Sequence, residues 1–290
     1  MDVVLRGVKF RWLFLIPCIV LFAGCSSISS AAKPTVTVLS TVTLTLPTST
    51  PTPSPTQFPG TTPEYKPFQA LLKKVIAIGP VYVTGDSSVP DTALQAAGTI
   101  LAIMLQHRPD IGAVLREYGT FTAVSSRSER VCDLPYFAQY DTTLCNSYGE
   151  GGAGGTLDQP ITACDEKNLL AEPDDLYDRY DQRQGSYSQN ICVHELAHTI
   201  MNVGLSQADR DRIHARFLTA QQEGIWKGDY AMTNDMEFWA VMSQFYFWAG
   251  PENTYSAYHH ISNGPDALKR YDPATFALLD SIYKGSANLR

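Results

Sequence analysis

The chain has 290 residues, 44% of them hydrophobic and 18% charged, with 22 basic against 29 acidic side chains for a net charge of −7. That balance, and the lack of any basic patch interleaved with aromatics, excludes the electrostatic footprint of a nucleic-acid binder. Length and apolar content suffice for one substantial domain that buries about 70% or more of its unfolded surface.

In chain order, residues 1–25 have the anatomy of an export signal: Arg6, Lys9 and Arg11, then the apolar run "WLFLIPCIVLFA" from Trp12 to Ala23, then small residues ending at Cys25. The 12-residue run is interrupted by Pro17, whereas a permanent span needs about 17–25 residues, which leaves a true membrane helix as the weaker alternative. The ending "LFAGCSS" resembles a bacterial lipoprotein box and implies a lipid anchor at Cys25 on the extracellular face of the membrane. Phe22 stands where that box prefers Leu, Val or Ile, so a simply cleaved signal and a secreted product is the other reading. Residues 26–66 are dominated by Ser, Thr and Pro, a composition that cannot bury enough apolar surface to order itself. At about 3.1 Å per residue in a polyproline-like state, this stalk could hold a domain on the order of 100 Å from its anchor.

Residues 67–290 are expected to form one α+β domain, a small sheet followed by a helical C-terminal half. A strand is expected at Lys73–Gly85. A helix from about Thr92 to Gln106, with Asp91 as its cap, precedes a shorter one through "DIGAVLREYG" and a strand at "TFTAVSS". Cys132 to Gln189 reads as loop. Helices follow at Asn190–Val203, Gln207–Gln222, Asn234–Trp248 and Pro273–Tyr283. Four cysteines fall in this domain, Cys132, Cys145, Cys164 and Cys192. In an exported chain they suggest disulfides, with 132–145 and 164–192 favoured among three connectivities; a structural zinc site is the rival, without Cys-x-x-Cys spacing to support it. A monomer is expected.

Inside the loop region, "GEGGAG" (Gly149–Gly154) matches a dinucleotide-binding pattern in letters alone. It lacks the preceding strand and following helix that would seat a pyrophosphate, so a strand-edge glycine segment beside a cleft is the better reading. "HELAH", His194 to His198, fits His-Glu-x-x-His on an apolar helix. One helical turn puts His194 and His198 on the same face, where they can share a metal, while Glu195 points beside them toward a metal-held water. The alternative is a helix whose histidines merely satisfy hydrogen bonds. Cys192 would point about 200° away from His194 and cannot join them.

A catalytic zinc takes three protein ligands and keeps one open position. Met201 excludes the metzincin continuation, which needs Gly there. In "DYAMTNDMEFWAVMSQFYFW" (Asp229–Trp248), Glu237 lies in the first turn of a strongly apolar helix, where a carboxylate must pair or ligate. A capping box from Asn234 to Glu237 competes with that role. His214 is expected on a charged helical surface, and His259 and His260 in a loop.

"HELAH" followed by "YAMTNDMEFWA" resembles the zinc peptidase domain of anthrax lethal factor and its relatives, including the secreted Pro-Pro endopeptidases. The resemblance covers about 190–248. It implies a zincin-like, gluzincin-type fold, with Zn2+ held by His194, His198 and Glu237. It further implies that Glu195 is the general base and that Tyr230, seven residues before Glu237, stabilises the transition state. The activity so implied is a surface-tethered or secreted zinc endopeptidase acting on protein or peptide substrates. The alternatives are a non-catalytic partner-binding lipoprotein on the same fold, and a zinc hydrolase of a cell-wall amide.

Overall fold

The structure, a computed structural model, describes residues 73–135, 137, 151–171, 189–249 and 264–284, all within one compact unit. The expected signal, the anchor at Cys25, the stalk, Cys145, His259 and His260 lie outside the described residues. The architecture is mixed α+β: a five-stranded sheet and a mostly helical remainder.

The sheet begins with β1 (Lys74–Ile78) and β2 (Val81–Gly85), paired antiparallel from Lys74↔Gly85 to Ile78↔Val81. This is the stretch expected as a single strand. The Gly79-Pro80 step divides it, because Pro80 has no N–H for a ladder and Gly79 takes φ +71, the left-handed region open to glycine. Two helices, α1 (Asp91–Met104) and α2 (Pro109–Glu117), then carry the chain over to β3 (Phe121–Ser125), which runs parallel to β2. Pro90 holds the cap position of α1 and Asp91 lies in its first turn, so Asp91 complements the helix dipole instead of capping.

In the segment expected to be loop, the structure has β4 (Gly152–Ala153), β5 (Ile161–Asp165) and a one-turn helix α3 (Glu166–Leu169). β5 lies parallel to β3 and β4 antiparallel to β5, giving the order β1-β2-β3-β5-β4 with β4 at an edge. Strand residues alternate between the two faces of the sheet. Val81, Val83, Val124 and Cys164 point into the main core beneath the helices, whereas Phe121, Ala123, Ile161 and Ala163 meet Val131, Leu134 and Phe137 on the other face.

The C-terminal half is built from α4 (Ile191–Thr199), α5 (Gln207–Glu223), α6 (Asp235–Tyr246), α7 (Pro265–Tyr271) and α8 (Pro273–Tyr283). α4 continues into a π turn at Ile200–Gly204. Its residues Val193, Leu196 and Ala197 are fully buried, as are Phe238, Trp239 and Ala240 of α6. The Trp239 indole N–H donates to the Ala197 carbonyl at 2.9 Å and stacks on Tyr283, so a large apolar side chain also satisfies a buried helix carbonyl. Cys164 and Cys192 form a disulfide that ties β5 to the first turn of α4. Cys132 is disulfide-bonded as well, and its expected partner Cys145 is outside the described residues.

Candidate metal centre

α4 and α6 bring the expected ligands together. Asn190 caps α4 by accepting from the Val193 N–H, and Asn234 caps α6 by accepting from the Glu237 N–H at 2.8 Å. Asn234 therefore supplies the cap while the Glu237 carboxylate turns inward to the histidines, so the cap leaves that carboxylate free to meet them. His194 Nε2 lies 3.0 Å from Glu237 Oε2 and 3.0 Å from His198 Nε2, and His198 Nε2 lies 3.5 Å from Glu237 Oε2. Ligand atoms of all three residues fall within 4.8 Å of one another, the one such group among the described residues, and close enough to hold a metal ion.

The hydrogen bonds behind His194 sharpen this. Its Nδ1 lies 3.2 Å from Gln244 Oε1, and Gln244 Nε2 donates to the Asn190 carbonyl at 3.0 Å. A carbonyl can only accept, so the amide must present its nitrogen to Asn190 and its oxygen to His194. His194 then carries its proton on Nδ1, and its Nε2 lone pair faces a carboxylate and a second imidazole. Lone pairs converging in this way need a positive charge between them, either a proton or a metal cation. Two imidazoles and one carboxylate are a donor set suited to zinc.

The electrostatics agree. Burial alone would lower the His194 pKa, but the hydrogen bond the protonated ring donates to Glu237, the charges of Glu195 and Glu237 and the bond to Gln244 outweigh it and raise it above 6.5. Burial works to raise Glu237, yet bonding to His194 and His198 holds its carboxyl far below the usual carboxylate range. For Glu195 burial is the main cause and lifts its pKa above 4.5, against the pull of the two histidines. Two carboxyl groups in one pocket are thus driven apart, Glu237 downward by the imidazoles it meets and Glu195 upward by burial.

Glycine explains how Glu195 and the histidines fit against the sheet. A Cβ on Gly152 would overlap Cγ of Glu195 and stand 2.9 Å from its Oε1, and one on Gly154 would overlap Cβ of His198. The Gly155 N–H donates to Thr199 Oγ1 at 2.7 Å, and Asn202 Nδ2 donates to the Gly155 carbonyl at 3.0 Å. The edge strand is thereby clamped directly onto the helix that carries the histidines. Gly149 and Glu150 lie outside the described residues; among those described, Gly152 lies in an edge strand and not at a helix N-terminus, so no dinucleotide cradle forms there.

Tyr230 opens a 3-10 turn, Tyr230–Met232, capped by Asp229, which accepts from the Ala231 N–H. Its ring lies 6.4 Å from the His194 ring and is half exposed. His214 is exposed and pairs with Asp235 at 2.7 Å, away from the cluster of three ligands. Gln244 was not singled out by residue type and spacing, whereas Gly152 and Gly154 belong to the glycine segment expected at a strand edge, where the structure has β4. A signal for Gln244 was available, the one amide, beside Ser243, in the otherwise largely apolar "FWAVMSQFYFW". No protein-family model matches this sequence, and a search of curated proteins finds no match.

Proposed function

We propose that the chain is a zinc-dependent endopeptidase, zincin-like in fold, of the type represented by anthrax lethal factor, acting on protein or peptide substrates. The observation that carries this reading is the convergence of His194, His198 and Glu237 on one point with Glu195 beside them and Tyr230 across from them. His194, His198 and Glu237 would hold the ion. When bound, zinc acidifies a water to a pKa of about 7 and polarises the carbonyl to be attacked.

The rest of the work falls to the chain. Glu195, whose burial raises its proton affinity, takes the proton from the attacking water and returns it to the leaving amine. The Tyr230 phenol donates a hydrogen bond to the oxygen on which negative charge develops. β4, beside Glu195 at the edge of the sheet, offers backbone groups along which an extended peptide can align. An oxidising compartment is supported by the Cys164–Cys192 disulfide, in keeping with export and attachment through Cys25.

The test is metal content and cleavage measured together on the full chain. One equivalent of zinc, with cleavage in a broad peptide library that a chelator abolishes and zinc restores, is the expected result. Stoichiometric zinc without peptide cleavage would redirect the site to another bond, and absence of metal would remove the reading.

A further inference from the structure

Gln244 is completely buried, seven residues beyond Glu237 on the same helix. Its two ends are both used: Oε1 faces His194 Nδ1 at 3.2 Å, and Nε2 donates to the Asn190 carbonyl at 3.0 Å and to Gln189 Oε1 at 3.3 Å. Asn190 is itself held, its N–H donating to the Ala249 carbonyl at 2.8 Å, and the neighbouring Ile191 N–H donates to Asn168 Oδ1 at 2.7 Å. The start of α4 is therefore fixed in space, and the amide that leans on it cannot rotate without setting two acceptors against each other.

We infer that Gln244 is a positioning residue, which locks His194 in its Nδ1–H tautomer and aims its Nε2 lone pair at the point where His198 and Glu237 converge. Without it, the neutral ring could place its proton on Nε2, where a metal must bind, or rotate about its Cβ–Cγ bond. A partner on the outer nitrogen of a ligating imidazole fixes both the tautomer and the ring plane. That the partner is a neutral amide and not a carboxylate has its own consequence: it orients the ring without adding a negative charge that would strengthen the imidazole as a donor. This inference rests on the metal-centre reading for its consequence, though the tautomer itself is a property of the metal-free protein.

The experiment compares wild type with Gln244→Met, which keeps the volume and removes the acceptor, and Gln244→Glu, which restores an acceptor toward His194 and, protonated on its other oxygen, a donor toward the Asn190 carbonyl. In metal-free full chain labelled with ¹⁵N-histidine, the imidazole nitrogen shifts of His194 report its tautomer. Zinc affinity is read separately by competition with a chelator. Wild type should keep a proton on Nδ1, and Gln244→Met should lose it in favour of the Nε2–H form that faces Glu237, with zinc affinity reduced about 10–100-fold. Gln244→Glu should return the Nδ1–H form and recover most of the affinity. A Gln244→Met protein with the wild-type tautomer and wild-type affinity would overturn the inference, as would a Gln244→Glu protein that binds zinc as poorly as the Met variant. If wild type takes up no zinc at all, the metal reading falls, and the tautomer comparison still decides whether Gln244 sets the state of His194.

Discussion

Glu195 and Glu237 are carboxylates in one pocket whose surroundings give them different work, and their substitutions should fail differently. Glu237 meets both imidazoles, while Glu195 lies half-buried beside them without joining the three convergent ligand atoms. Glu195→Gln should keep stoichiometric zinc, measured by elemental analysis, while peptide turnover falls about 10²–10⁴-fold, the usual worth of a general base. Glu237→Ala leaves the Asn234 cap in place, since that cap uses only the Glu237 backbone N–H. Zinc affinity should fall by more than the about 10–100-fold typical of losing an outer partner, with little loss of helix stability. Tyr230→Phe should preserve metal and fold and lower turnover about 10²–10³-fold, as for removal of one oxyanion donor; full activity there would remove Tyr230 from the mechanism. His194, His198 and Glu237 could be read from the sequence because a ligand pair one helical turn apart and a carboxylate in an apolar helix are unusual in themselves. Gln244 signals more weakly, because burying an uncharged amide costs less than burying a charge, and its role appears only when α6 is laid across α4.

At the scale of elements, β4 is two residues long and owes its position to glycine. A methyl group at Gly152 would displace Glu195, and one at Gly154 would displace His198. Overpacking of this kind costs about 1–3 kcal/mol, and a shift on the order of 1 Å in a catalytic group can cost about 10²-fold in rate. Gly152→Ala is therefore expected to lower turnover with zinc retained, and Gly154→Ala to lower zinc affinity, both read against an unchanged far-UV circular dichroism spectrum. Equal losses of metal in the two variants would show that the strand moves as a unit and that the two glycines have no separate roles. The helices α1, α2, α4, α5, α6 and α8 were legible from apolar periodicity and caps, but β5 was not. "ITACD" is a run of only five residues between Pro160 and a helix start, and what makes it a strand is pairing with β3 across intervening chain, a tertiary fact that local pattern does not carry. The same limit merged β1 and β2, where two strands in line and a tight Gly-Pro hairpin have one alternation.

For the molecule as a whole, the C-terminal helices are tied to one buried charge, far in sequence from the candidate metal centre. Asp272 is fully buried and caps α8 through the Thr275 N–H at 2.9 Å, accepts from the Trp226 indole at 3.0 Å and pairs with Arg216 of α5 at 2.9 Å. Burial works to raise its pKa, but the bonds from Thr275, Trp226 and Arg216 outweigh that and hold it below the ordinary 3.8. A carboxylate whose folded pKa is depressed binds fewer protons folded than unfolded, so its contribution to stability is complete above the unfolded value near 3.8 and disappears as pH falls through the folded value. Denaturant melts of the metal-free protein between about pH 6 and pH 2 should show this loss, superimposed on a like loss from Glu237 and an opposite contribution from Glu195, whose folded pKa is raised. Asp272→Asn isolates the contribution: it should cost about 3–5 kcal/mol at neutral pH by stranding Arg216, and the gap to wild type should close as pH drops below 3.8. Because the network also pins Trp226, which takes φ +62 in the turn leading to Tyr230, the same variant should loosen the Tyr230 segment and reduce turnover while zinc affinity, set by α4 and α6, stays near wild type. A gap between wild type and Asp272→Asn that is constant from neutral to acid pH would show that the side chain's charge contributes nothing and that packing alone holds the helices.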